Sequence, residues 1–243
     1  MHELGHTRSS YQRDHFLQTP DAFVRAPLPG MDQVTAIVHI APAAGAGFTQ
    51  YTAEFEAQGV MEPGRLQRFV YVLEGELRTD SEQLGPGAFI YFPPGAGTQL
   101  RASSPARAVV IEKPYLPLAG VPAPKSFVGS ESQVSPQPLL GDPAVEVRSL
   151  APADASFDFA FNTMTYQPGA TLPMVETHFM EHGLLMIAGG GIYRLGDCWY
   201  PVTAGDFIWM APYCPQWFGA LGKAPAKYLI YKDWNRHPIS DER

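Results

Sequence analysis

The chain has 243 residues, 45% of them apolar, with 17 Lys and Arg against 24 Asp and Glu for a formal charge of −7. That composition belongs to a packed globular protein, and an acidic chain without a basic run argues against a nucleic-acid partner. Nothing approaches the roughly 18 consecutive apolar residues of a membrane span, and the opening MHELGHTRSSYQRDHF lacks the apolar core of a secretory leader.

Twenty-four Pro and 23 Gly without a collagen period interrupt helices and point to a turn-rich all-β architecture with few short helices. Short runs rich in Val, Ile, Phe and Tyr predict strands in the first half at 34–40, 48–55, 69–73, 76–79, 88–92 and 108–112. The second half repeats the habit at 145–148, 160–166, 184–187, 192–195, 206–210 and 227–232. Between them, residues 113–144 hold seven of the 24 prolines and few bulky apolar side chains. This stretch reads as a connector that Pro keeps extended, and a domain boundary belongs in it.

An internal repeat organises these runs. FVYVLEGELRT (69–79) matches GLLMIAGGGIYRL (183–195) with Gly75 on Gly189, and GAFIYFPPGAGTQ (87–99) matches GDFIWMAPYCPQW (205–217) with Gly87 on Gly205. Duplication of one β domain follows, with boundaries at 1–115 for the first copy, 116–144 for the connector and 145–243 for the second copy. Cys198 and Cys214 are too few for a disulfide framework and are taken as packing residues, so a reducing cytoplasm is the expected compartment.

The chemical signal lies in the second copy. Glu176 and His178 are two apart, so in a strand they share a face, and His182 joins them if the strand bends or bulges. Gln216 follows the turn after the 206–210 run. Imidazole with carboxylate suits Mn, Fe, Ni or Zn, and an amide oxygen leans towards a harder ion. Glu181 is expected to face away from Glu176. Trp199, Trp209 and Trp217 are expected to pack the barrel, and His2, His6, His15, His39 and His237 have no ligand spacing.

Gly169, Glu176, His178, His182 and Gly189, followed by Gly205, Pro212 and Gln216, resemble the two motifs of the cupin superfamily. The usual His-His-Glu-His ligands are replaced by Glu-His-His-Gln. That set, and the text ETHFMEHG…GIYRLGDCWYPVTAGDFIWMAPYCPQWF…KYLIYKDWNR, resemble the bicupin (S)-ureidoglycine aminohydrolases of purine (allantoin) catabolism. The first half, with LPGMDQ, RFVYVLEGEL and GAFIYFPPG, resembles them more loosely.

The resemblance implies two jelly-roll cupin barrels in tandem and one Mn2+ per chain, held in the C-terminal cupin by Glu176, His178, His182 and Gln216. It implies hydrolysis of ureidoglycine to ureidoglycolate and ammonia, with Tyr193, Tyr228 and Lys232 contacting a small ureido substrate. Glu176 is the candidate proton shuttle, Lys232 is the candidate partner of the substrate carboxylate, and a homo-oligomer is implied. In the first copy the ligand positions fall on Glu62, Gly64, Arg68 and Thr98. Arg68 would set a fixed charge where an ion would sit, so that copy is expected to be metal-free. The alternatives are an Fe(II)-dependent cupin dioxygenase on another small acid, or a non-enzymatic metabolite-binding bicupin.

Overall fold

The structure is a computed structural model and describes residues 6–237. Among these, helix is confined to three single 3-10 turns, Pro20–Ala22, Pro42–Ala44 and Glu131–Gln133, and the rest of the regular structure is strand. No helix among them is long and apolar enough to cross a membrane. The chain divides into two compact units. A first-half unit holds residues 24–134 and 154–158, and a second-half unit holds 6–23, 135–153 and 159–237.

The first-half unit is one curled antiparallel sheet of ten strands. Its long Thr49–Met61 strand pairs with Met31–Ile40 on one side and Ala106–Lys113 on the other. Val34, Tyr51, Phe55, Val70, Val72, Ile90, Leu100 and Val110 meet in its interior. The second-half unit has an eight-stranded sheet and a three-stranded sheet, Cys198–Thr203, Gly190–Leu195 and Gln216–Ala220. In the smaller sheet the side chains alternate strictly: Tyr193, Leu195, Tyr200, Val202 and Phe218 are buried, while Trp199 points to solvent. The period-two pattern of GIYRL thus becomes one packed face and one wet face.

The repeat glycines show that the two units share a design. Gly75 and Gly189 both have φ in the left-handed region, +72° and +63°. A Cβ on either would press into a carbonyl, Pro105 or Pro225, just ahead of an alanine, Ala106 or Ala226. Only glycine meets both demands, so the repeat is fixed by backbone approach as well as by turn geometry.

Sequence reasoning misplaced two segments. Residues 6–23, expected in the first copy, belong to the second-half unit, because His15–Gln18 pairs in register with Phe207–Met210. All four residues of this strand are buried. Arg8 reinforces the docking with a two-pronged bond to the buried Asp206 carboxylate, 2.7 and 2.8 Å. The connector supplies strands too: Phe127–Ser130 pairs with Ala88–Phe92 in the first-half unit, and Gln137–Leu139 pairs with Asp142–Ser149 in the second. Each unit therefore completes an edge with a strand that precedes the other half in sequence. The physical reason is an unpaired sheet edge, which any short extended segment satisfies.

Candidate metal centre

Glu176, His178, His182, Gln216, Tyr193, Tyr228 and Lys232 all line one cavity of about 250 Å³ inside the second-half unit. The elements that bring them together differ from those expected. Residues 177–181 form no strand, and only His182 begins one, His182–Ala188. Glu176 is held by an isolated two-residue bridge to Gln216, with Glu176 N–H to Gln216 O 2.8 Å and Gln216 N–H to Glu176 O 2.9 Å. That reciprocal pair sets two ligand-type side chains side by side without a continuous ladder. The His178 carbonyl accepts a bond from the Tyr213 N–H at 2.8 Å, which fixes the intervening loop.

The imidazoles are arranged as bases. His182 Nδ1 donates to the Tyr231 carbonyl at 3.0 Å, which leaves its Nε2 as a bare lone pair. His178 Nε2 accepts the Gln216 amide N–H at 3.0 Å and lies 3.3 Å from His182 Nε2. Burial lowers both pKa values, that of His182 to about 3, so each ring is a neutral imidazole with one N–H and one lone pair. His182 Nε2 and His178 Nε2, 3.3 Å apart, can both turn a lone pair to a cation placed against them. The donor set thus fits a metal, with a carbonyl behind His182 fixing its tautomer.

Glu176 stands further from the imidazoles. Among the described residues, the acid, imidazole and thiol groups that gather within 4.8 Å of one another are Asp14, His15 and Cys214. In that cluster His15 spends Nδ1 on Asp14 and Nε2 on the Tyr200 hydroxyl, and burial pushes the Cys214 thiol up to about 11. Its groups are consumed by one another. His15, expected to be ordinary, is instead the buried knot that ties the N-terminal strand to Tyr200.

The rest of the cavity is polar at selected points only. Burial raises the Glu176 carboxyl pKa, and Lys232 opposes the rise; burial lowers the Lys232 pKa, and Glu176 opposes that. The Tyr193 hydroxyl donates to Gln216 Oε1 at 3.2 Å. Tyr228 bonds Tyr166 at 2.9 Å and donates to the Met164 sulfur at 3.3 Å. Met164, Leu172 and Ile230 supply apolar wall. Glu181 faces away from the cavity as expected, but it is buried, accepting the Trp209 indole N–H at 2.7 Å. Sequence reasoning missed Tyr166 and Asn162. The available signal was their spacing with Met164 along the strand Phe159–Tyr166, which puts all three on one face.

The corresponding place in the first-half unit is closed by a salt bridge. His182 pairs across the ladder with Lys232, and Arg68 pairs in the same way with Glu112. Arg68 Nε bonds Glu112 at 2.6 Å and its Nη1 bonds the Glu62 carbonyl at 2.8 Å. A side chain on Gly64 would collide with this guanidinium. A built-in cation and its own carboxylate fill the space.

A family model described as "Cupin domain" matches residues 162–231. Over 97% of its length the chain is 41% identical to the (S)-ureidoglycine aminohydrolase of Arabidopsis thaliana, spanning 80% of that protein. The chain belongs to the (S)-ureidoglycine aminohydrolase family. Among solved structures, the crystal structure of protein Ylba from Escherichia coli resembles this aminohydrolase-family chain with a TM-score of 0.84 at 25% identity, covering 98% of both chains. Oxalate decarboxylase of Bacillus subtilis, a protein described with Mn(II) centres, shares the fold at a TM-score of 0.68 and 12% identity, over 91% of this chain and 78% of its own.

Proposed function

We propose that the chain is a manganese-dependent (S)-ureidoglycine aminohydrolase, converting ureidoglycine and water to ureidoglycolate and ammonia. The observation that carries this reading is the pairing, in one small cavity, of two imidazole Nε2 atoms 3.3 Å apart with a half-buried lysine and two buried phenols. At about 250 Å³ the cavity is smaller than the roughly 300–1,000 Å³ of sites for drug-sized ligands, which suits a small metabolite.

Glu176, His178, His182 and Gln216 would hold one Mn2+ per chain, which when bound polarises the reacting centre and anchors substrate oxygens. Lys232 neutralises the substrate carboxylate, a charge-assisted contact strengthened by the buried setting. Tyr193 and Tyr228 offer phenol groups at the cavity wall, each already oriented by a second bond, to Gln216 and to Tyr166. Glu176 is the proton shuttle. A carboxylate beside the ion can take a proton from water and return it to the leaving amine. The bond broken is that from the central carbon to the amine nitrogen, and the oxygen of water takes its place.

The test is ammonia release from freshly generated ureidoglycine, with and without added Mn(II). A manganese-dependent rate well above the spontaneous one is expected, and its absence sinks the proposal. Glu176→Gln should abolish turnover, and full turnover in a manganese-loaded variant would remove Glu176 from its role.

A further inference from the structure

One polar residue of the cavity has no task in that scheme. Asn162 lies on the strand Phe159–Tyr166 and lines the cavity, with only 5% of its surface exposed. Among the described residues its carboxamide makes no hydrogen bond. Its polar atoms are not sealed in the core but open onto the cavity, so they can bond what enters it. An apolar side chain at this place would simply join Met164 and Ile230 in the wall.

The register gives the position its neighbours. Asn162 pairs with Ile230, two rungs from the Ala160–Lys232 pair and two from Met164–Tyr228, the nearest rungs on the same face. It therefore stands on the shared inward face, diagonal to both Lys232 and Tyr228, about 7 Å from each by ordinary sheet geometry. The duplicated unit offers an internal control. There the Arg68–Glu112 rung takes the place of His182–Lys232, and the next inward rung pairs Val110 with Tyr51. Where the unit has lost its ligands, Tyr51 fills this position and joins the core; where the ligands remain, an unpartnered amide stands there.

We infer that Asn162 reads the carbamoyl end of the substrate, its N–H donating to the urea oxygen and its carbonyl oxygen accepting from the terminal NH2. A carboxamide is the two-point complement of a carbamoyl group, whereas Lys232 supplies the charge that a carboxylate needs. This inference rests on the aminohydrolase reading for its substrate and makes a separate claim about selectivity.

The test uses N-carbamoylglycine, which lacks the leaving amine, and N-acetylglycine, which replaces its terminal NH2 with a methyl. Titration calorimetry on the Mn(II)-loaded chain should show the carbamoyl compound bound about tenfold more tightly, the scale of one or two buried hydrogen bonds. Asn162→Leu should bind the two equally. It should retain manganese and a urea midpoint equal to or above that of the wild type, and raise KM for ureidoglycine about tenfold with a smaller change in kcat. Asn162→Asp, which keeps the acceptor and loses the donor, should keep the preference, because the two probes differ only in the NH2 that the acceptor reads.

An Asn162→Leu variant that keeps the preference overturns the inference, as does a wild-type chain with no preference to lose. A fall in midpoint with the preference intact marks Asn162 as a packing residue and likewise overturns it. Failure of the aminohydrolase reading looks different: no turnover of ureidoglycine by the wild type, with discrimination between the two probes still present.

Discussion

The N-terminal strand gives the sharpest test of how this chain is assembled. Leu17 is fully buried, pairs with Ile208 and belongs to the core cluster around the candidate metal centre. Leu17→Ala removes a buried isobutyl group and leaves a cavity, at a cost of about 2–5 kcal/mol. With an m-value of about 2 kcal/mol per molar urea, the midpoint should fall by about 1–2.5 M. The assay has a natural reporter. All four tryptophans, Trp199, Trp209, Trp217 and Trp234, lie in the second-half unit, so Trp fluorescence follows that unit alone. Trp209 also lies 5.7 Å from the Phe16 ring, beside the substituted position. The expected result is a lowered Trp transition and weaker manganese retention. An unmoved Trp transition, with loss of structure seen only by far-UV circular dichroism, would assign the strand to the first-half unit and refute the reasoning.

Three further outcomes follow from the site and the core. Tyr193→Phe deletes the bond that steadies Gln216 and should weaken Mn(II) binding about tenfold, measured by competition with a fluorescent chelator; unchanged affinity would show that the phenol does not steady the ligand. Stripping the metal with a chelator should cost about 2.7 kcal/mol relative to protein in Mn(II) at a hundred times its Kd, lowering the Trp-detected urea midpoint by about 1.4 M, and an unaltered midpoint would place the ion outside this unit. His39 is buried against Thr52, and burial lowers its pKa to about 3. The unfolded chain therefore takes up a proton below about pH 6.5 that the folded chain refuses, and stability falls as pH drops from there towards 3, by about 2–3 kcal/mol by pH 4.5. His39→Gln should flatten that slope in circular-dichroism melts, and an identical slope in the variant would remove His39 as its source.

How much was legible depended on how local the signal was. Period-two runs such as GIYRL and the repeated Gly turns carry their own geometry, so the β architecture, the duplication and the strands near the repeat could be read directly. That Glu176, His178, His182 and Gln216 share one cavity was legible through spacing and through resemblance, but what holds them there was not. Glu176 and His178 were expected on one strand, whereas the structure holds Glu176 by a two-residue bridge to Gln216 and lets residues 177–181 run without regular pairing. The four-residue HFLQ strand carries almost no periodic signal. Its place was decided by the open edge of Phe207–Met210, a partner nearly two hundred residues away.

By itself, then, the sequence determined the turn-rich β class, the two copies and the asymmetry of their ligand positions, because each rests on residue type at fixed short spacing. The tertiary structure decided which strands close which sheet and that two unprotonated imidazoles meet at 3.3 Å. It also decided that Arg68 and Glu112 take up the corresponding space in the other copy, and that Asn162 faces the cavity without a partner. These are long-range pairings and burial effects. They depend on which groups lose water together, and no single segment of the chain encodes that.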